Sequence, residues 1–532
     1  MNQTNDDALR RWQHAERLSG DGQGEQARLL YASLFSDPML SPLAHLRLAL
    51  LDQRAGGLRG ATDHALAAFT AAYADPDLME LLCKSLLQLG ETHAALACAS
   101  ALAGMEASVE ACAETGKMLS DHMLPEAALP LLSKAMANGL ADAPALRYLV
   151  GLNLMYVGRL DDARRELEIC VRGNPGMLPA HWALAKVGVP AQRGARIERL
   201  QRLRQDPAEG AGDAALLHYS LFHELDSADQ VEPAWAALAY AMQLRRARVP
   251  YDEDAQDALF AAAADAVPEA GAAQVLASES YAGPQPVFVV GMPRTGTTVI
   301  EQHLCAHADV ASAGELRDLA LQARWVTDQA GSNQVDPALL DALRAAPLQE
   351  LGQRYLAHTR WRANGHAWFA DKWPENYLLI GQILRALPRA RVLWVRRNAA
   401  DACFSNLKEW FAGSYYYSYD MAETARQYAR FDQLMSRVQA LQHPRVAFID
   451  YEAFVQAPDA TIGGVIQTLS LPLRDSLRPH ARATIATASA IQARGEVSAR
   501  HVGAWRRYQQ SLAPMLDELS RLGYPQTPER LA

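Results

Sequence analysis

The hydrophobic pattern divides the chain into two regions with different secondary structure. From the first residue to about residue 265, apolar positions recur at helical spacing, Ala and Leu predominate and no convincing strand occurs. From Pro286 onward, short apolar runs rich in β-branched residues alternate with helical stretches, which is typical of a parallel sheet covered by helices. The pattern predicts a helical region at 1–265, a linker at 266–285 and an α/β domain at 286–532.

Small residues recur through the helical region with a nearly constant period. Ala27, Ala61, Ala95, Ala128 and Ala163 are separated by 34, 34, 33 and 35 residues. This is the period of the tetratricopeptide (TPR) repeat, in which helix pairs stack into a superhelical solenoid. The segment 216–246 indicates a further pair. The concave face of such a solenoid could bind a protein partner, but the repeats could equally form a structural arm.

The clearest repeat spans residues 144–177. Gly151 takes the small position of its first helix and Gly158 lies in its turn. Ala163 and Leu167 face back from the second helix, and Pro175 ends it. All five residues fall where the tetratricopeptide family places them.

The first strand of the second region, Val287–Val290, leads into a loop suited to phosphate binding. Gly291 and Gly296 allow the backbone to approach an anion closely, and Thr297 and Thr298 open a helix whose N-terminal amides would point at that anion. The spacing is that of a Walker loop, but Thr297 occupies the position of the Walker lysine. The sequence therefore disfavours an ATPase.

Two further candidate residues follow apolar runs. Glu315 ends a short strand, where open α/β sheets place ligand chemistry, although a first-turn helix acid would look the same. Lys372 ends the apolar run 368–371 and could neutralise an oxyanion. It could also be a surface lysine paired with Asp371 or Glu375.

A second candidate phosphate site follows the strand at 391–395. Asn398 can cap the next helix, with Asp401 in the reciprocal capping position. Arg397 and Ser405 flank the start of that helix, and a guanidinium together with a hydroxyl suits a phosphate group. Two separate phosphate sites predict an elongated, doubly phosphorylated ligand.

Composition limits the class of protein. The chain has 532 residues, half of them hydrophobic, and a net charge of −9, which gives no general attraction to nucleic acid. No segment reaches the roughly 18 apolar residues of a membrane span, so we expect a cytoplasmic protein. The six cysteines show no metal-ligand spacing, and we expect buried free thiols and no metal site.

The two phosphate motifs together resemble those of sulfotransferases that use 3'-phosphoadenosine 5'-phosphosulfate (PAPS). The loop 291–298 is similar to the family's 5'-phosphosulfate loop, PxSGTT or PRSGTT, and Arg397, Asp401 and Ser405 fall at the spacing of its 3'-phosphate motif. The resemblance covers about 286–524 and implies the sulfotransferase fold. With the repeats in front, the whole chain resembles the bacterial tetratricopeptide-repeat sulfotransferases. The resemblance implies that these residues bind the donor: Pro293, Arg294, Thr295, Gly296, Thr297, Thr298, Arg397, Ser405, Tyr451, Arg494 and Arg500.

Within this class, the chain is most similar to the tyrosylprotein sulfotransferase branch. That resemblance implies that Glu315 is the base, that Arg294 and Lys372 stabilise the transferring group, and that Ser489 assists. The sequence departs from the branch at Thr295, where serine is usual. It also departs at 453–454 and 495–496, and the departure at 495–496 bears on Ser489, Arg494 and Arg500.

The implied reaction moves a sulfuryl group to a hydroxyl or phenol, without a divalent metal, and leaves adenosine 3',5'-bisphosphate. The acceptor could be a peptide, a glycan or a small phenol, which the repeats could recruit or orient. The tyrosine-rich run 415–419 could line an acceptor pocket or pack on the domain. The alternatives are a P-loop kinase, which Thr297 disfavours, and a repeat scaffold with a vestigial catalytic domain.

Overall fold

The computed structural model describes residues 2–140, 142–205, 214–268, 283–331, 334–471 and 497–526. A helical region precedes a domain built on a parallel sheet, so the predicted fold class is confirmed. The α-helices described in the first region are α1 Asn2–Gly20, α2 Gly24–Ala32, α3 Ser41–Ala55, α4 Leu58–Thr70, α5 Pro76–Gln88, α6 Thr92–Gly104, α7 Val109–Asp121, α8 Pro125–Ala135, α9 Pro144–Tyr156, α10 Leu160–Gly173, α11 Leu178–Val187, α12 Arg193–Gln205, α13 Ala214–Ser227, α14 Val231–Arg246 and α15 Glu253–Ala266.

The second region alternates strands and helices. Its described elements are β1 Gln285–Val290, α16 Thr297–Leu304, β2 Val310–Gly314, α17 Asp318–Thr327, α18 Pro337–Ala342, α19 Leu348–Thr359, β3 Trp368–Asp371, α20 Ile380–Ala386, β4 Arg391–Arg396, α21 Ala399–Leu407, α22 Met421–Ala440, β5 Val446–Asp450, α23 Tyr451–Gln456, α24 Pro458–Thr468 and α25 Ala513–Arg521. Short 3-10 helices lie at Pro190–Gln192, Arg360–Ala363, Pro374–Leu379, Tyr416–Tyr419, Ala499–His501 and Ala504–Tyr508, and a π-helical turn lies at Met136–Leu140.

Helix pairs pack through the small residues that the repeat period singles out. The alanines at positions 27, 61, 95, 128 and 163 are all fully buried. A Cβ at Gly151 of α9 would lie 2.8 Å from Leu167 Cγ of α10, and a Cβ at Gly116 of α7 would lie 2.7 Å from Leu132 of α8. Distances this short exclude any larger side chain without a shift of the neighbouring helix. The predicted pairing of helices is therefore confirmed at these positions.

The sheet has five parallel strands in the order β2-β3-β1-β4-β5. The central strand β1 is buried at every position, which explains its apolar, β-branched sequence. The chain leaves β1 toward β2 on one side, and later adds β4 and β5 on the other side. The loops after β1 and β4 therefore meet at a topological switch point, where open α/β sheets bind ligands. The apolar run at 368–371, which the sequence does not define as a strand, is β3.

By the density of its internal contacts, the chain consists of two compact units. The first is Met1–Ala141 with Arg317–Thr359, and the second is Asp142–Leu316 with Arg360–Ala532. Each unit thus combines helices of the first region with segments of the second, and the domain boundaries at 265 and 286 remain a prediction.

In the first unit, the segment Arg317–Thr359 packs on the helix pairs that precede residue 141. Trp325 of α17 lies between two guanidinium groups, with Arg59 4.9 Å and Arg354 3.4 Å from its ring centre. His358 Nε2 lies 3.0 Å from the Glu91 carboxylate. The cation–π contact of Arg59 therefore joins this segment to α4, and the contact of His358 joins it to Glu91, the residue before α6.

In the second unit, helices α11, α13 and α14 contact the α/β domain. Tyr219 of α13 donates a hydrogen bond to the carbonyl of Leu407, at 3.2 Å, and His223 Nε2 donates one to the carbonyl of Lys408, at 2.9 Å. All six cysteines of the chain are free, and five of them are buried, as their scattered positions predict. Within the described ranges no helix is long and apolar enough to cross a membrane.

Candidate active site

The loop after β1 forms a tight cradle in front of α16. A Cβ at Gly291 would lie 2.9 Å from the carbonyl oxygen of Val395 on β4, so this position must be glycine for the two strands to approach. Arg294 has φ of 68°, and Gly296, which precedes α16, has φ of 102°. This turn directs the N-terminal amides of α16 at the space above the loop, where an anion would be favoured.

The hydroxyl groups of the loop have different roles. Thr295 is fully buried, and its Oγ1 donates to the carbonyl of Met292 at 2.7 Å, so it holds the shape of the turn. Thr298 lines the cavity above the loop. The described residues that line this cavity do not include Pro293, Thr295 or Thr297.

Arg397, the first residue after β4, crosses to the loop after β1. Its Nη1 donates to the carbonyl of Arg294 at 3.1 Å, and its Nη2 donates to the carbonyl of His501 at 2.5 Å. The guanidinium lies 4.7 Å from the centre of the Tyr451 ring. Its Nε is buried and has no hydrogen-bond partner among the described residues. Arg397 is therefore fixed in place with one donor still to be satisfied.

The helix after Arg397 begins partly as its sequence predicts. Asn398 Oδ1 accepts from the amide of Asp401 at 3.2 Å, which confirms the N-cap. The reciprocal cap by Asp401 is wrong, because Glu452 accepts from the Asn398 amide instead, at 2.9 Å. Asp401 Oδ2 accepts from the amide of Gly503 at 2.6 Å, and its Oδ1 is buried without a partner among the described residues. A tertiary contact thus replaces the local one.

One cavity, partly open to solvent, joins the two predicted phosphate sites. Its lining brings together seven of the residues that the sequence predicts to bind the donor, namely Arg294, Gly296, Thr298, Arg397, Ser405, Tyr451 and Arg500. It also includes Val299, Asp401, Phe404, Lys408, Val497, Ser498, His501 and Ala504. Four of these side chains are cationic and one is a carboxylate, so the cavity suits a ligand with several negative charges.

Tyr451 closes one side of the cavity. It begins α23 directly after β5 and is 6% exposed. A Cβ at Gly296 would overlap its ring, so the ring packs directly on the backbone of the loop after β1. Tyr451 therefore fixes the loop while presenting an aromatic face beside Arg397.

Glu315 and Lys372 lie together at the carboxyl ends of β2 and β3. Gly314 is paired with Asp371 in the sheet, and the amide of Lys372 donates to the carbonyl of Gly314 at 2.8 Å. Lys372 Nζ donates to Glu315 Oε1. Lys372 is 1% exposed, so this is a buried ion pair rather than the surface pair with Asp371 or Glu375 that the sequence leaves open.

A further buried carboxyl group lies near this pair. Glu301 of α16 accepts a hydrogen bond from Ser312 Oγ at 2.7 Å. Burial raises the pKa of Glu301, and the charge of Lys372 opposes that shift. The electrostatic environment of Lys372 thus includes both Glu315 and Glu301.

Arg294 contacts a carboxylate that sequence reasoning misses. Its Nε lies 3.6 Å from Glu409, whose two carboxylate oxygens each accept from Lys186 Nζ of α11 at 2.9 Å. Burial lowers the pKa of Arg294, and Glu409 opposes the shift. Burial likewise lowers the pKa of Lys186 to about 8. These contacts join residues that are far apart in the sequence, and no local sequence pattern predicts them.

Lys408 and His501 are also missed by the sequence. Burial lowers the pKa of Lys408 to about 8, with Asp226 opposing the shift and Arg294 adding to it. Burial lowers the pKa of His501 to about 3, so this imidazole is neutral near pH 7. Lys408 comes three residues after Ser405, close to one helical turn, and this spacing is a signal that could have placed it at the site.

The structure describes only some of the remaining predicted residues. Arg500 is exposed at the cavity, and its Nε lies 3.0 Å from His501 Nε2. Ser489 and Arg494 lie outside the described residues. In the tyrosine-rich run, Tyr417 and Tyr419 are 4% and 2% exposed, so these two rings pack in the domain interior.

Comparison with known proteins yields one curated relative and several solved structures. An uncharacterised protein of Aquifex aeolicus (strain VF5) is 24% identical over 413 residues, which are 76% of this chain and 54% of the relative. The chain thus spans about half the length of that relative. The C-terminal part of a TPR repeat-containing protein from Cytophaga hutchinsonii is 14% identical with a TM-score of 0.34, over 46% of this chain and 98% of the other.

Two solved sulfotransferases show similarly weak likenesses. The sulfotransferase domain from the curacin biosynthetic pathway is 16% identical with a TM-score of 0.28, over 47% of this chain and 94% of the other. A sulfotransferase from Mycobacterium tuberculosis H37Rv is 14% identical with a TM-score of 0.26, over 63% of this chain and all of the other. Residues 286–475, which hold both phosphate motifs and the Glu315–Lys372 pair, match the family model described as the sulfotransferase family.

Proposed function

We propose that the chain transfers a sulfuryl group from PAPS to a hydroxyl or phenol acceptor. The observation that carries the proposal is one cavity that joins Gly296 and Thr298, at the start of α16, to Arg397, which precedes α21, and Ser405, in the last turn of α21. A ligand that fills it meets an N-terminal helix dipole at one end and a guanidinium with a hydroxyl at the other. This arrangement suits a nucleotide with phosphate groups at two separate positions.

The polar atoms of the site fit such a nucleotide. Arg397 Nε is a buried donor without a partner among the described residues, and an anion would satisfy it. Lys408 and Arg500 add positive charge to the same cavity. Ser405 is 7% exposed, so its hydroxyl can reach a bound ligand but not bulk solvent freely. We assign Arg397, Ser405, Lys408 and Arg500 to the phosphate groups of the donor.

The proposed chemistry is an in-line displacement at sulfur. A bond forms between the acceptor oxygen and sulfur as the bond from sulfur to the bridging oxygen of the donor breaks, and adenosine 3',5'-bisphosphate leaves. Glu315 takes the proton of the acceptor hydroxyl. Lys372 and Arg294 stabilise negative charge as it grows on the oxygens around the reacting centre. Alignment and charge neutralisation supply the catalysis, as in phosphoryl transfer.

The ion pair between Glu315 and Lys372 supports these two roles. It places a carboxylate and an ammonium side by side at the ends of neighbouring strands, so that a proton acceptor and a cation can act at one reacting centre. Together with the resemblance of these positions to the tyrosylprotein sulfotransferase branch, it favours an acceptor with a phenol or hydroxyl group. We further propose that the helical repeats recruit or orient that acceptor.

The experiment that tests the proposal has a binding arm and a transfer arm. Isothermal titration calorimetry compares adenosine 3',5'-bisphosphate with ATP and magnesium, and labelled donor is incubated with tyrosine peptides, glycans and phenols. We expect tight binding of the bisphosphate and label in at least one class of acceptor. Preference for ATP would favour the kinase alternative, and binding without any transfer would favour a vestigial domain.

A further inference from the structure

We propose that Lys186, from helix α11, is a positioning residue of the catalytic site, because it limits how far Glu409 neutralises Arg294. This inference rests on the proposed sulfuryl transfer, in which Arg294 meets charge on the transferring group. It gives part of the helical region a role in the chemical step, in addition to any role in recruiting the acceptor.

The geometry shows one carboxylate placed unequally between two cations. Lys186 Nζ lies 2.9 Å from each oxygen of Glu409, whereas Arg294 Nε lies 3.6 Å from the nearer one. The two contacts of Lys186 are hydrogen bonds, whereas the contact of Arg294 is too long to be one. The side chain of Glu409 is 2% exposed and that of Arg294 is 5% exposed, so water screens this arrangement little.

The balance of charge around Glu409 determines how strongly it neutralises Arg294. One buried carboxylate cannot neutralise two cations, and its hydrogen bonds go to Lys186. Lys186 therefore competes with Arg294 for this carboxylate and limits how far Glu409 itself neutralises the guanidinium. Without Lys186, the guanidinium would be the only cation in contact with Glu409 among those described, and such pairs become short and bidentate.

Helices α11 and α13 also hold this arrangement in place. The Lys186 ammonium lies 4.2 Å from the centre of the Trp182 ring on its own helix, a cation–π contact that fixes its direction. Tyr219 and His223 of α13 bind the carbonyls of Leu407 and Lys408, the two residues before Glu409. The position of Glu409 is therefore set by helices of the first region.

The test is a double-mutant cycle in the whole chain. We expect Lys186→Met to lower kcat about tenfold to a hundredfold, somewhat less than loss of a complete electrostatic contact. We expect Glu409→Gln, added to Lys186→Met, to restore kcat to within about tenfold of the wild type, because it removes the carboxylate that captures Arg294. Lys186→Arg keeps the charge and should retain more activity than Lys186→Met.

A purely structural role would give a different pattern, since a second buried substitution would then lower stability and activity further. Thermal unfolding and calorimetry with adenosine 3',5'-bisphosphate check that each variant is folded. Lys117→Met is the matched control, because Lys117 is an exposed lysine that pairs with Asp121 on its own helix. We expect this control to match the wild type.

The outcomes separate the inference from the function on which it rests. Wild-type rates in Lys186→Met, or a double variant no faster than Lys186→Met, overturn the inference and leave the proposed transfer intact. A wild-type chain that neither binds the bisphosphate nor transfers label overturns the proposed function, and this inference with it.

Discussion

Lys372 Nζ and Glu315 Oε1 form an ion pair across the carboxyl ends of the paired strands β3 and β2. The backbone reinforces the pair, because the Lys372 amide also donates to the carbonyl of Gly314. Both side chains are thereby held at the edge of the sheet that carries the loop after β1. A carboxylate and an ammonium in this position can accept a proton and stabilise an anion in one reaction.

The first prediction concerns the carboxylate of this pair. We expect Glu315→Gln to lower turnover by roughly 10² to 10⁴, the usual contribution of a general base. Affinity for adenosine 3',5'-bisphosphate should stay close to the wild-type value, because Glu315 does not line the described cavity. Single-turnover assays with labelled donor measure the rate of transfer, and calorimetry measures the affinity for adenosine 3',5'-bisphosphate.

A matched control for this substitution is Glu106→Gln, which changes an exposed glutamate in the turn after α6. Glu106→Gln should leave both turnover and affinity for adenosine 3',5'-bisphosphate unchanged. If Glu315→Gln turns over at the wild-type rate, another group must take the acceptor proton.

The second prediction concerns the phosphate site after β4. Arg397→Ala should weaken binding of adenosine 3',5'-bisphosphate by about 1.5 to 3 kcal/mol, the usual contribution of a charge-assisted hydrogen bond. This corresponds to a factor of about 10 to 150 in the dissociation constant. Calorimetry measures it directly.

Arg397 also holds the carbonyls of Arg294 and His501, so its loss could disturb the loops themselves. Thermal unfolding of Arg397→Ala should therefore be compared with that of Arg344→Ala, whose guanidinium is 59% exposed. An unchanged affinity in a folded Arg397→Ala would remove this residue from the site.

The sequence could predict both candidate phosphate motifs because each is encoded locally. A buried strand that ends in Gly291, with Gly296 before a helix, has few structural solutions other than an anion cradle. Arg397 and Ser405 likewise follow one strand at a fixed spacing. The order of the strands then brings the two motifs together, since β1 and β4 are neighbours.

The electrostatic surroundings of the site could not be predicted in the same way. Lys186 and Glu409 are 223 residues apart, and neither pattern nor spacing links them before the chain folds. The same holds for Asp401, whose local sequence indicates a helix cap but whose carboxylate accepts from Gly503 instead. Tertiary contacts determine these partners, so the ion pairs and hydrogen bonds around the site are seen only in the structure.

The third prediction concerns the glycine under the Tyr451 ring. Gly296→Ala should destabilise the loop by about 1 to 3 kcal/mol, because alanine is strained at φ of 102°. The new Cβ would also overlap the ring. We expect a lower unfolding temperature and much weaker binding of adenosine 3',5'-bisphosphate, both measured on the same preparation.

Gly463→Ala provides the control, since a Cβ there would meet nothing within 4 Å in helix α24. It should be neutral or stabilising, because alanine favours a helix by about 1 kcal/mol over glycine. Equal binding by Gly296→Ala and Gly463→Ala would contradict the cradle that we assign to this loop.

The last prediction concerns the pH dependence of nucleotide binding. The pKa of Lys408 is about 8, since burial disfavours its charged form. A phosphate group beside it would favour that form and raise its pKa. Below pH 8 the ammonium is charged before and after binding. Above pH 8 the chain must take up a proton in order to bind, so affinity falls as pH rises, by about tenfold between pH 7 and pH 9.

Calorimetry at pH 9, in buffers of different ionisation enthalpy, counts the protons taken up on binding of adenosine 3',5'-bisphosphate. We expect uptake of up to one proton, and none at pH 6.5 to 7 from this group. Lys408→Met should bind more weakly at pH 7 and lose the decline toward pH 9. Lys186, whose pKa is also about 8, titrates in the same range, so Lys186→Met is the necessary comparison. A decline that survives in Lys408→Met but disappears in Lys186→Met would assign the proton to Lys186 and remove Lys408 from the phosphate site.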